Sequence, residues 1–550
     1  MGRPATALAC LLLALPAVVT AGPGSVCGTE LGAGRGLLAL HVYWGRAGAL
    51  GPPAVGADRN VEHVAILEDR GDLIARRNPF DLAGSAVRLT PNAAGGFDPA
   101  RLALAPEAPG TDLGLRDGEA RAVDLPFAFP FYARSYSRAF VHADGSLTFG
   151  APDNQPGALG LARFLSGPPR VAAFFAELDP SRGGSVTTAI AAGRALFQWN
   201  DVPGAGQINR NRFAVALHAN GSVDLVYGEV QSREAIAGAS PGATLEASPA
   251  DLSEARPSGS AGALAERFSE TEKLDLVSVA RRFYEDHADT FEQLVVYTTR
   301  PLNPVSGTLA FELNVRNDAR GIGLPLFDDS AQWGSAGILA SLVYMDRVDQ
   351  YLEVDGFEIL GHEVGHRWLA RASFREPAGS RSEALLGRGG VHWSFFLDSD
   401  ASVMEGNDIE DRGGGRFETV DVARGYSALD QYVMGLRSAS EVPAFFYVEA
   451  ADDFRPNRSY TASTSPEAGV NFTGRRRDVG IEDVVAALGP RVPQAGAAPR
   501  LLRQAFILVA DSAAPATEAR LRAVARLRAR FESYYREATG GRGLVDSTLP

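Results

Sequence analysis

Lysine is almost absent from this 550-residue chain: Lys273 is the only one, and nearly every basic residue is an arginine. The formal net charge is -13. Because binding to nucleic-acid phosphates requires concentrated positive charge, this acidic balance argues against a nucleic-acid partner. The abundant arginine is explained more simply by a compositional bias than by a phosphate-binding surface.

Cysteine is equally scarce, with two in the whole chain. Cys10 lies within residues 1–21, where a positively charged start, an apolar run over residues 5–19 and small residues at the end predict a cleavable secretory signal peptide. Cys27 is then the only cysteine of the mature chain, so no intrachain disulfide is expected. We therefore expect an exported protein, either secreted or periplasmic.

Long hydrophobic runs are also missing. After the signal peptide there is no stretch of about 20 apolar residues, the length that a membrane-spanning helix needs. Hydrophobic residues make up 45% of the chain and charged residues 22%, which is ordinary for a globular protein. The length predicts two to four domains and no membrane span.

Strand and turn patterns dominate the first half of the chain. Alternating apolar and polar residues are densest between about residues 120 and 235, and "ADGS" and "ANGS" occupy positions typical of hairpin turns. An Ala-, Ser-, Pro- and Gly-rich segment follows, and helical and strand patterns are mixed after it. We predict a multidomain protein with an N-terminal all-β, sandwich-like region and a C-terminal α+β domain. The predicted parts are a signal peptide (1–21), an N-terminal β-rich region (22–104), a β-sandwich (105–240), a linker (241–262) and the α+β domain (263–550).

The predicted β-sandwich resembles a known extracellular module. The run from Phe127 to Gly150, together with "AAFFAELDP" and "RFAVALHANGSVDLVYG", is similar to nidogen-like domains in the spacing of aromatic residues, turns and strands. The resemblance implies a sandwich whose aromatic residues form the core, and no binding site is predicted there. The expected core aromatics are Phe127, Phe129, Phe131, Tyr132, Phe174 and Phe175.

A possible metal site is encoded in "GHEVGHRWLA", residues 361–370. If this segment is helical, His362 and His366 leave the same helix face because they are four residues apart. Two imidazoles on one face suit Zn²⁺, and Glu363 between them is placed to act as a general base. The alternative is a buried helix with two hydrogen-bonded histidines. That alternative is costly because three polar groups would face an interior without an ion.

The HExxH spacing of His362, Glu363 and His366 resembles that of the zincin metallopeptidases. The resemblance implies a zincin-like fold for the C-terminal domain and peptide-bond hydrolysis through a zinc-bound water, with Glu363 as the general base. In the metzincin branch, a glycine and a third histidine follow at fixed positions. Here those positions hold Leu369 and Ala372, so the metzincin pattern is broken.

The motif therefore does not identify the third zinc ligand. His392 is the only histidine after the motif and follows two glycines, which makes it the first choice. Glu405 is the alternative, because the gluzincin branch takes its third ligand from a downstream glutamate. Asp398 and Asp400 are weaker candidates.

A second candidate metal site lies in an acidic segment further along the chain. Asp408, Glu410 and Asp411 precede three consecutive glycines, and carboxylates gathered on a glycine-rich turn can bind Ca²⁺. Their spacing does not match the EF-hand loop. A solvated acidic turn is therefore the competing interpretation.

These patterns lead to two functional hypotheses. The first is an exported zinc metallopeptidase that acts on protein or peptide substrates outside the cytoplasm. The second is a non-catalytic adhesion or matrix-type protein, in which the β half binds a partner and the zincin-like half is a scaffold. The sequence favours the peptidase and leaves the oligomeric state unknown.

Overall fold

The computed structural model describes residues 27–30, 57–153, 160–244, 247–257, 259, 261–302, 308–352 and 356–550. The predicted signal peptide lies outside these residues. Strands account for 40% of the described residues and helices for 16%. Within the described part of the chain, no helix has the length and apolar character needed to span a bilayer.

The strands before the sandwich and along its first edge are short. They are β1 (Cys27–Glu30), β2 (Arg59–Val61), β3 (Val64–Glu68), β4 (Ile74–Ala75), β5 (Ala86–Pro91), β6 (Phe97–Leu102) and β7 (Thr111–Asp112).

Longer strands follow in the middle of the chain. They are β8 (Ala120–Phe131), β9 (Arg134–His142), β10 (Ser146–Phe149), β11 (Arg170–Phe175), β12 (Ser185–Ala191), β13 (Arg194–Val202), β14 (Asn211–His218), β15 (Val223–Val230), β16 (Ala235–Ser240), β17 (Ala247–Pro249), β18 (Ala263–Phe268) and β19 (Lys273–Leu274).

The last part of the chain alternates strands with helices. Its strands are β20 (Gln293–Thr298), β21 (Thr308–Asn314), β22 (Arg316–Asn317), β23 (Phe327–Asp328), β24 (Ser341–Arg347), β25 (Phe374–Arg375), β26 (Arg381–Ser382), β27 (Asn407–Gly413), β28 (Arg416–Val422), β29 (Phe445–Arg455), β30 (Asn471–Val479), β31 (Leu501–Ala510) and β32 (Leu544–Asp546). The α-helices of the described chain are α1 (Leu161–Ser166), α2 (Leu276–Asp286), α3 (Phe357–Gly365), α4 (Ala428–Met434), α5 (Ile481–Leu488) and α6 (Glu518–Ala538).

Two seven-stranded sheets form a β-sandwich. Their strand orders are β17-β18-β16-β11-β10-β9-β8 and β6-β5-β15-β14-β13-β12-β7. Apolar residues from both sheets form one buried core, which includes Phe129, Phe131 and Phe174. Both predicted hairpin turns are confirmed, because "ADGS" joins β9 to β10 and "ANGS" joins β14 to β15.

The sandwich extends beyond the predicted range of 105–240, since it begins at β5 and ends at β18. Part of the predicted linker belongs to it. β17 pairs in parallel with β18, and Leu252 is completely buried in the sandwich core. This segment is therefore packed rather than extended between domains.

A mixed eight-stranded sheet carries the remaining core. Its order is β1-β21-β24-β20-β31-β3-β2, and β32 also pairs with β31. Successive residues of β20 belong to different cores: Val295 packs on the side of α3 and α6, whereas Leu294 and Val296 pack on the side of α2. The sheet is thus buried on both faces, as parallel strands usually are.

The prediction of a distinct α+β, zincin-like domain is wrong. The described chain is mostly β. In addition, the eight-stranded sheet takes β2 and β3 from residues that precede the sandwich, and β3 pairs in parallel with β31. Contacts between segments more than 400 residues apart leave no local pattern, so this sheet could not be assigned from the sequence.

The remaining sheets are smaller. A four-stranded sheet has the order β27-β28-β30-β29, and three two-stranded sheets join β4 with β19, β22 with β23 and β25 with β26. Phe395, Phe417, Phe446 and Phe472 are among the residues that form the apolar core of the four-stranded sheet. Phe395 follows the segment of His392, so this core anchors one end of that segment.

Candidate metal centre

Three histidines converge in the interior, and we call His362, His366 and His392 the histidine cluster. The Nε2 atom of His362 lies 3.1 Å from Nε2 of His366 and 3.2 Å from Nε2 of His392. All three potential ligand atoms lie within 4.8 Å of one another. Within the described residues, this is the only group of three or more His, Cys, Asp or Glu side chains with metal-binding geometry.

Helix α3 supplies two members of the cluster. It ends at Gly365, because the following N–H groups of His366 and Arg367 bond to carbonyls only three residues back, those of Glu363 and Val364. His366 is the C-cap residue and keeps helical backbone angles, so its side chain remains on the face of His362.

Close packing around α3 requires glycine at two positions. A Cβ atom on Gly361 would lie 2.4 Å from the ring of Tyr534, and one on Gly365 would lie 2.4 Å from Sδ of Met404. Both distances are shorter than a normal contact. The glycines therefore let neighbouring side chains approach the helix directly beside the ligands.

The third histidine comes from a loop that folds back onto α3. His392 follows a short 3-10 turn, Arg388–Gly390. Backbone hydrogen bonds fix the loop on both sides: the Ala370 N–H bonds to the Val391 carbonyl at 3.5 Å, and the Trp393 N–H bonds to the Met404 carbonyl at 3.0 Å. Its position depends on these non-local bonds.

Hydrogen bonds to the opposite ring nitrogens define the tautomers. Nδ1 of His362 lies 2.8 Å from the Val403 carbonyl, and Nδ1 of His392 lies 2.8 Å from the Arg388 carbonyl. A carbonyl only accepts, so in both rings Nδ1 carries the proton and Nε2 presents a lone pair. Nδ1 of His366 is buried, and no hydrogen-bond partner for it lies among the described residues.

The cluster fits a cation. Lone pairs that face one another at about 3 Å repel unless a positive charge lies between them. In a tetrahedral zinc site with Zn–N distances of about 2.0–2.1 Å, neighbouring nitrogens lie about 3.3–3.4 Å apart. The two observed Nε2 separations of 3.1 and 3.2 Å are close to that value.

Burial keeps two of these histidines neutral. His366 is 1% exposed and His392 is 0% exposed. Burial, together with the neighbouring histidines, lowers the pKa of His366 well below its ordinary value. Burial also lowers the pKa of His392 to about 3. At neutral pH both imidazoles are therefore in the form that binds metals.

Glu363 lies on α3 between the two helical ligands and is completely buried. A second carboxyl, which sequence reasoning missed, is electrostatically coupled to it. Burial, with a contribution from the charge of Glu363, raises the pKa of Glu312 to about 8. Glu312 accepts a hydrogen bond from Asn314 at 2.9 Å, and Asn314 also donates to the His366 carbonyl at 3.2 Å. Strand β21 is thereby tied to the end of α3.

A glutamate within an otherwise apolar strand, "TLAFELN", was the signal that could have identified Glu312. Arg388 was missed as well, although it stands between glycines in "LGRGG" four residues before the third histidine. Arg388 contributes a positive charge near the cluster, whereas Glu312 mostly retains its proton at neutral pH.

The alternative ligand Glu405 is engaged elsewhere. Arg388 donates from Nη2 to Glu405 Oε1 at 2.5 Å and from Nε to both carboxylate oxygens at 3.2 Å. Glu405 Oε1 remains 3.8 Å from Nε2 of His392. Asp398 accepts the Ile409 N–H at 3.0 Å, and neither it nor Asp400 belongs to the cluster. The geometry favours His392 as the third ligand.

The acidic turn considered for calcium lies on the hairpin of β27 and β28. Glu410 forms an ion pair with Arg412, and Asp411 forms one with Arg476 at 3.3 Å. Asp408 does not join them in a metal-binding group among the described residues. This arrangement favours the interpretation as a solvated acidic turn.

Comparison with known proteins bears on the sandwich. A family model described as NIDO related matches residues 94–279, which confirms the nidogen-like domain predicted from the sequence. The matched region ends before the histidine cluster. No curated protein and no solved structure matches the chain.

Proposed function

We propose that this chain is an exported, zinc-dependent hydrolase of peptide bonds. The observation that supports the proposal most strongly is the convergence of the Nε2 atoms of His362, His366 and His392, next to a buried glutamate in the HExxH spacing. Three nitrogen ligands with one open position are typical of catalytic rather than structural zinc sites.

The histidine cluster, two backbone carbonyls and Glu363 have different roles in the proposed hydrolysis. A zinc ion held by the histidine cluster would supply a Lewis acid that polarises the scissile carbonyl and acidifies water. The carbonyls of Val403 and Arg388 hold two of the imidazoles in the ligating tautomer. Glu363 takes the proton from the water whose oxygen attacks the carbonyl carbon, and it delivers that proton to the amine nitrogen as the C–N bond breaks.

The proposed substrates are proteins or peptides outside the cytoplasm. The acidic chain, the predicted signal peptide and the nidogen-related domain all support an extracellular or periplasmic location. The nidogen-related domain also supports the competing hypothesis, an adhesion-type protein in which the histidine cluster has no catalytic role. The two hypotheses differ in what Glu363 does.

The deciding experiment compares zinc content and cleavage of fluorescein-labelled casein for the full chain and three variants. We expect about one zinc per wild-type chain, zinc retained in Glu363→Gln with casein cleavage reduced about 10²- to 10⁴-fold, and zinc lost in His392→Ala. His218→Ala is the matched histidine control, since His218 pairs with Asp224 in the sandwich. Absence of zinc from the wild type, or unchanged cleavage by Glu363→Gln, would favour the adhesion-type protein.

A further inference from the structure

Arg388 contacts both nitrogens of the third histidine. Its carbonyl accepts from Nδ1 of His392 at 2.8 Å, and its Nη2 lies 2.9 Å from Nε2 of the same ring. That Nε2 atom is the one that faces His362 at 3.2 Å. The guanidinium therefore lies at the edge of the proposed metal site.

The position of the guanidinium is held by a carboxylate. Glu405 accepts hydrogen bonds from both Nε and Nη2 of Arg388. Glu405 has a left-handed backbone, with φ of 62°, which non-glycine residues adopt rarely and at a cost. The chain tolerates this strained conformation at the residue that orients the guanidinium, and strain of this kind is commonly found at functional sites.

The loop around Arg388 is equally constrained. Gly389 and Gly390 have φ of 64° and 69°, and a Cβ on Gly387 would lie 2.5 Å from the Trp393 carbonyl. Three glycines thus allow a turn tight enough for one residue to hold His392 by its backbone and reach its far nitrogen by its side chain.

The hydrogen-bonding capacity of His392 limits what Arg388 can do there. Because Nδ1 carries the proton, Nε2 has a single lone pair. That lone pair cannot bind a metal ion and accept a hydrogen bond from Arg388 at the same time. Nη2 keeps one hydrogen bond to Glu405, so in the metal-bound site its other proton needs another acceptor close to the ion.

We propose that this acceptor is the substrate: Arg388 donates a hydrogen bond to the carbonyl oxygen of the scissile peptide bond and stabilises the negative charge that develops there. The inference rests on the proposed peptidase function. A guanidinium remains charged at all relevant pH values, and a prepositioned donor loses little free energy to reorganisation during the reaction. The Arg388 side chain is 20% exposed, so a peptide can reach it.

The test uses the zinc-loaded full chain and the variants Arg388→Met and Arg388→Lys. We expect Arg388→Met to lower kcat for casein about 10²- to 10³-fold while KM changes less than about threefold. Binding of N-phosphoryl-leucinamide, whose anionic phosphoryl group mimics the tetrahedral transition state, should weaken by a similar factor in calorimetry. Arg388→Lys keeps the charge and should recover part of both losses.

Two controls separate contact with substrate from a structural role. Zinc affinity, measured by competition with a chelator, should not weaken in Arg388→Met, because the backbone carbonyl that orients His392 remains. Arg520→Met is the matched variant: Arg520 is 18% exposed and pairs with the Asp349 carboxylate through two hydrogen bonds. We expect it to leave kcat and inhibitor binding unchanged.

The inference is overturned if zinc-loaded Arg388→Met binds N-phosphoryl-leucinamide and cleaves casein like the wild type. It is also overturned if both Arg388 variants lose zinc, since Arg388 then only positions His392. These results differ from a failure of the proposed function itself. In that case the wild-type chain would bind no zinc or cleave no casein, and the role of Arg388 would fail with it.

Discussion

The sandwich and the histidine cluster both bury polar side chains, but they compensate for that burial in different ways. In the sandwich, Arg170 is completely buried and forms an ion pair with Asp153, which also accepts from Arg163 at 3.1 Å. In the cluster, three imidazoles bring their Nε2 atoms together. Opposite charges within the chain complete the first group, whereas the second group fits the zinc ion proposed above.

This difference separates a structural polar group from a candidate functional one. Burial of a charge is tolerated when a partner of opposite charge and hydrogen bonds accompany it. In the cluster, Arg388 donates to Nε2 of His392, and the facing lone pairs of His362 and His392 also fit the proposed zinc ion. Substitutions in the sandwich should therefore change stability alone, and those in the cluster should change metal binding as well.

The largest stability effect is expected for Asp153→Ala. Removal of this carboxylate leaves the buried Arg170 with the more distant carboxylate of Asp144 at 3.6 Å, which should reduce the free energy of unfolding by about 3 kcal/mol. Urea unfolding measures the loss, and zinc content should stay at the wild-type value. Asp124→Ala is the control, because the pair of Asp124 with Arg138 is exposed and is expected to contribute at most about 1 kcal/mol.

The next largest effect is expected from zinc removal. An ion that binds only the folded state stabilises it by about 2.7 kcal/mol when free zinc is 100 times Kd. Chelation should therefore lower the melting temperature of the wild type, and zinc should restore it. In His392→Ala, chelator and zinc should have almost no effect. An equal response of wild type and variant would show that zinc acts at another place.

Gly365→Ala should moderately reduce both the stability of the fold and its affinity for zinc. The added methyl group would lie 2.4 Å from Sδ of Met404. Such overpacking forces neighbouring atoms to move and lowers the free energy of unfolding by about 1–3 kcal/mol. Because Gly365 directly precedes His366, zinc affinity should fall in parallel. Gly193→Ala provides the comparison in the sandwich, where an added Cβ meets no atom within 4 Å. Unchanged zinc affinity in Gly365→Ala would contradict this account of α3.

Per pH unit, pH should cause the smallest change in the free energy of unfolding, with opposite signs in the two regions. The pKa of Glu312 is raised to about 8 by burial and by Glu363, so the native state holds a proton that the unfolded chain releases near pH 4.5. The contribution of Glu312 to the free energy of unfolding is complete below about pH 4.5 and is lost as pH rises towards 8. The free energy of unfolding falls over this range by at most about 1.4 kcal/mol per pH unit. Glu312→Gln should remove this slope in urea unfolding between pH 5 and 8.5.

Asp153 should behave in the opposite way. Burial alone would raise its pKa, but the charges and hydrogen bonds of Arg170 and Arg163 outweigh burial and lower it below 3.8. Its contribution to stability is therefore present above the ordinary pKa and is lost as pH falls through the lowered value. Asp153→Asn should weaken the acid sensitivity of unfolding. If Glu312→Gln and Asp153→Asn change the pH dependence of the free energy of unfolding in the same direction, the two regions do not differ in the sign of their pH response, and this prediction is wrong.

Sequence patterns predicted the sandwich well, because alternation and hairpin turns are local features. The turn residues of "ADGS" and "ANGS" and the core positions of Phe129, Phe131 and Phe174 all follow from such features. The α+β domain was predicted wrongly because helical periodicity was visible in the sequence while the partners of the strands were not. β3 pairs with β31 although more than 400 residues separate them in the sequence.

From the sequence alone it follows that His362 and His366 share one face of a helix, since a spacing of four residues on a helix is a local geometric fact, and that Glu363 adjoins them in the chain. The sequence also reduced the third ligand to His392 or a downstream carboxylate. The tertiary structure alone brought Nε2 of His392 to 3.2 Å from His362, assigned Glu405 to Arg388 and placed Glu312 beside α3. These contacts depend on loop closure and strand order, whose free energy is distributed over the whole core rather than encoded in any short segment.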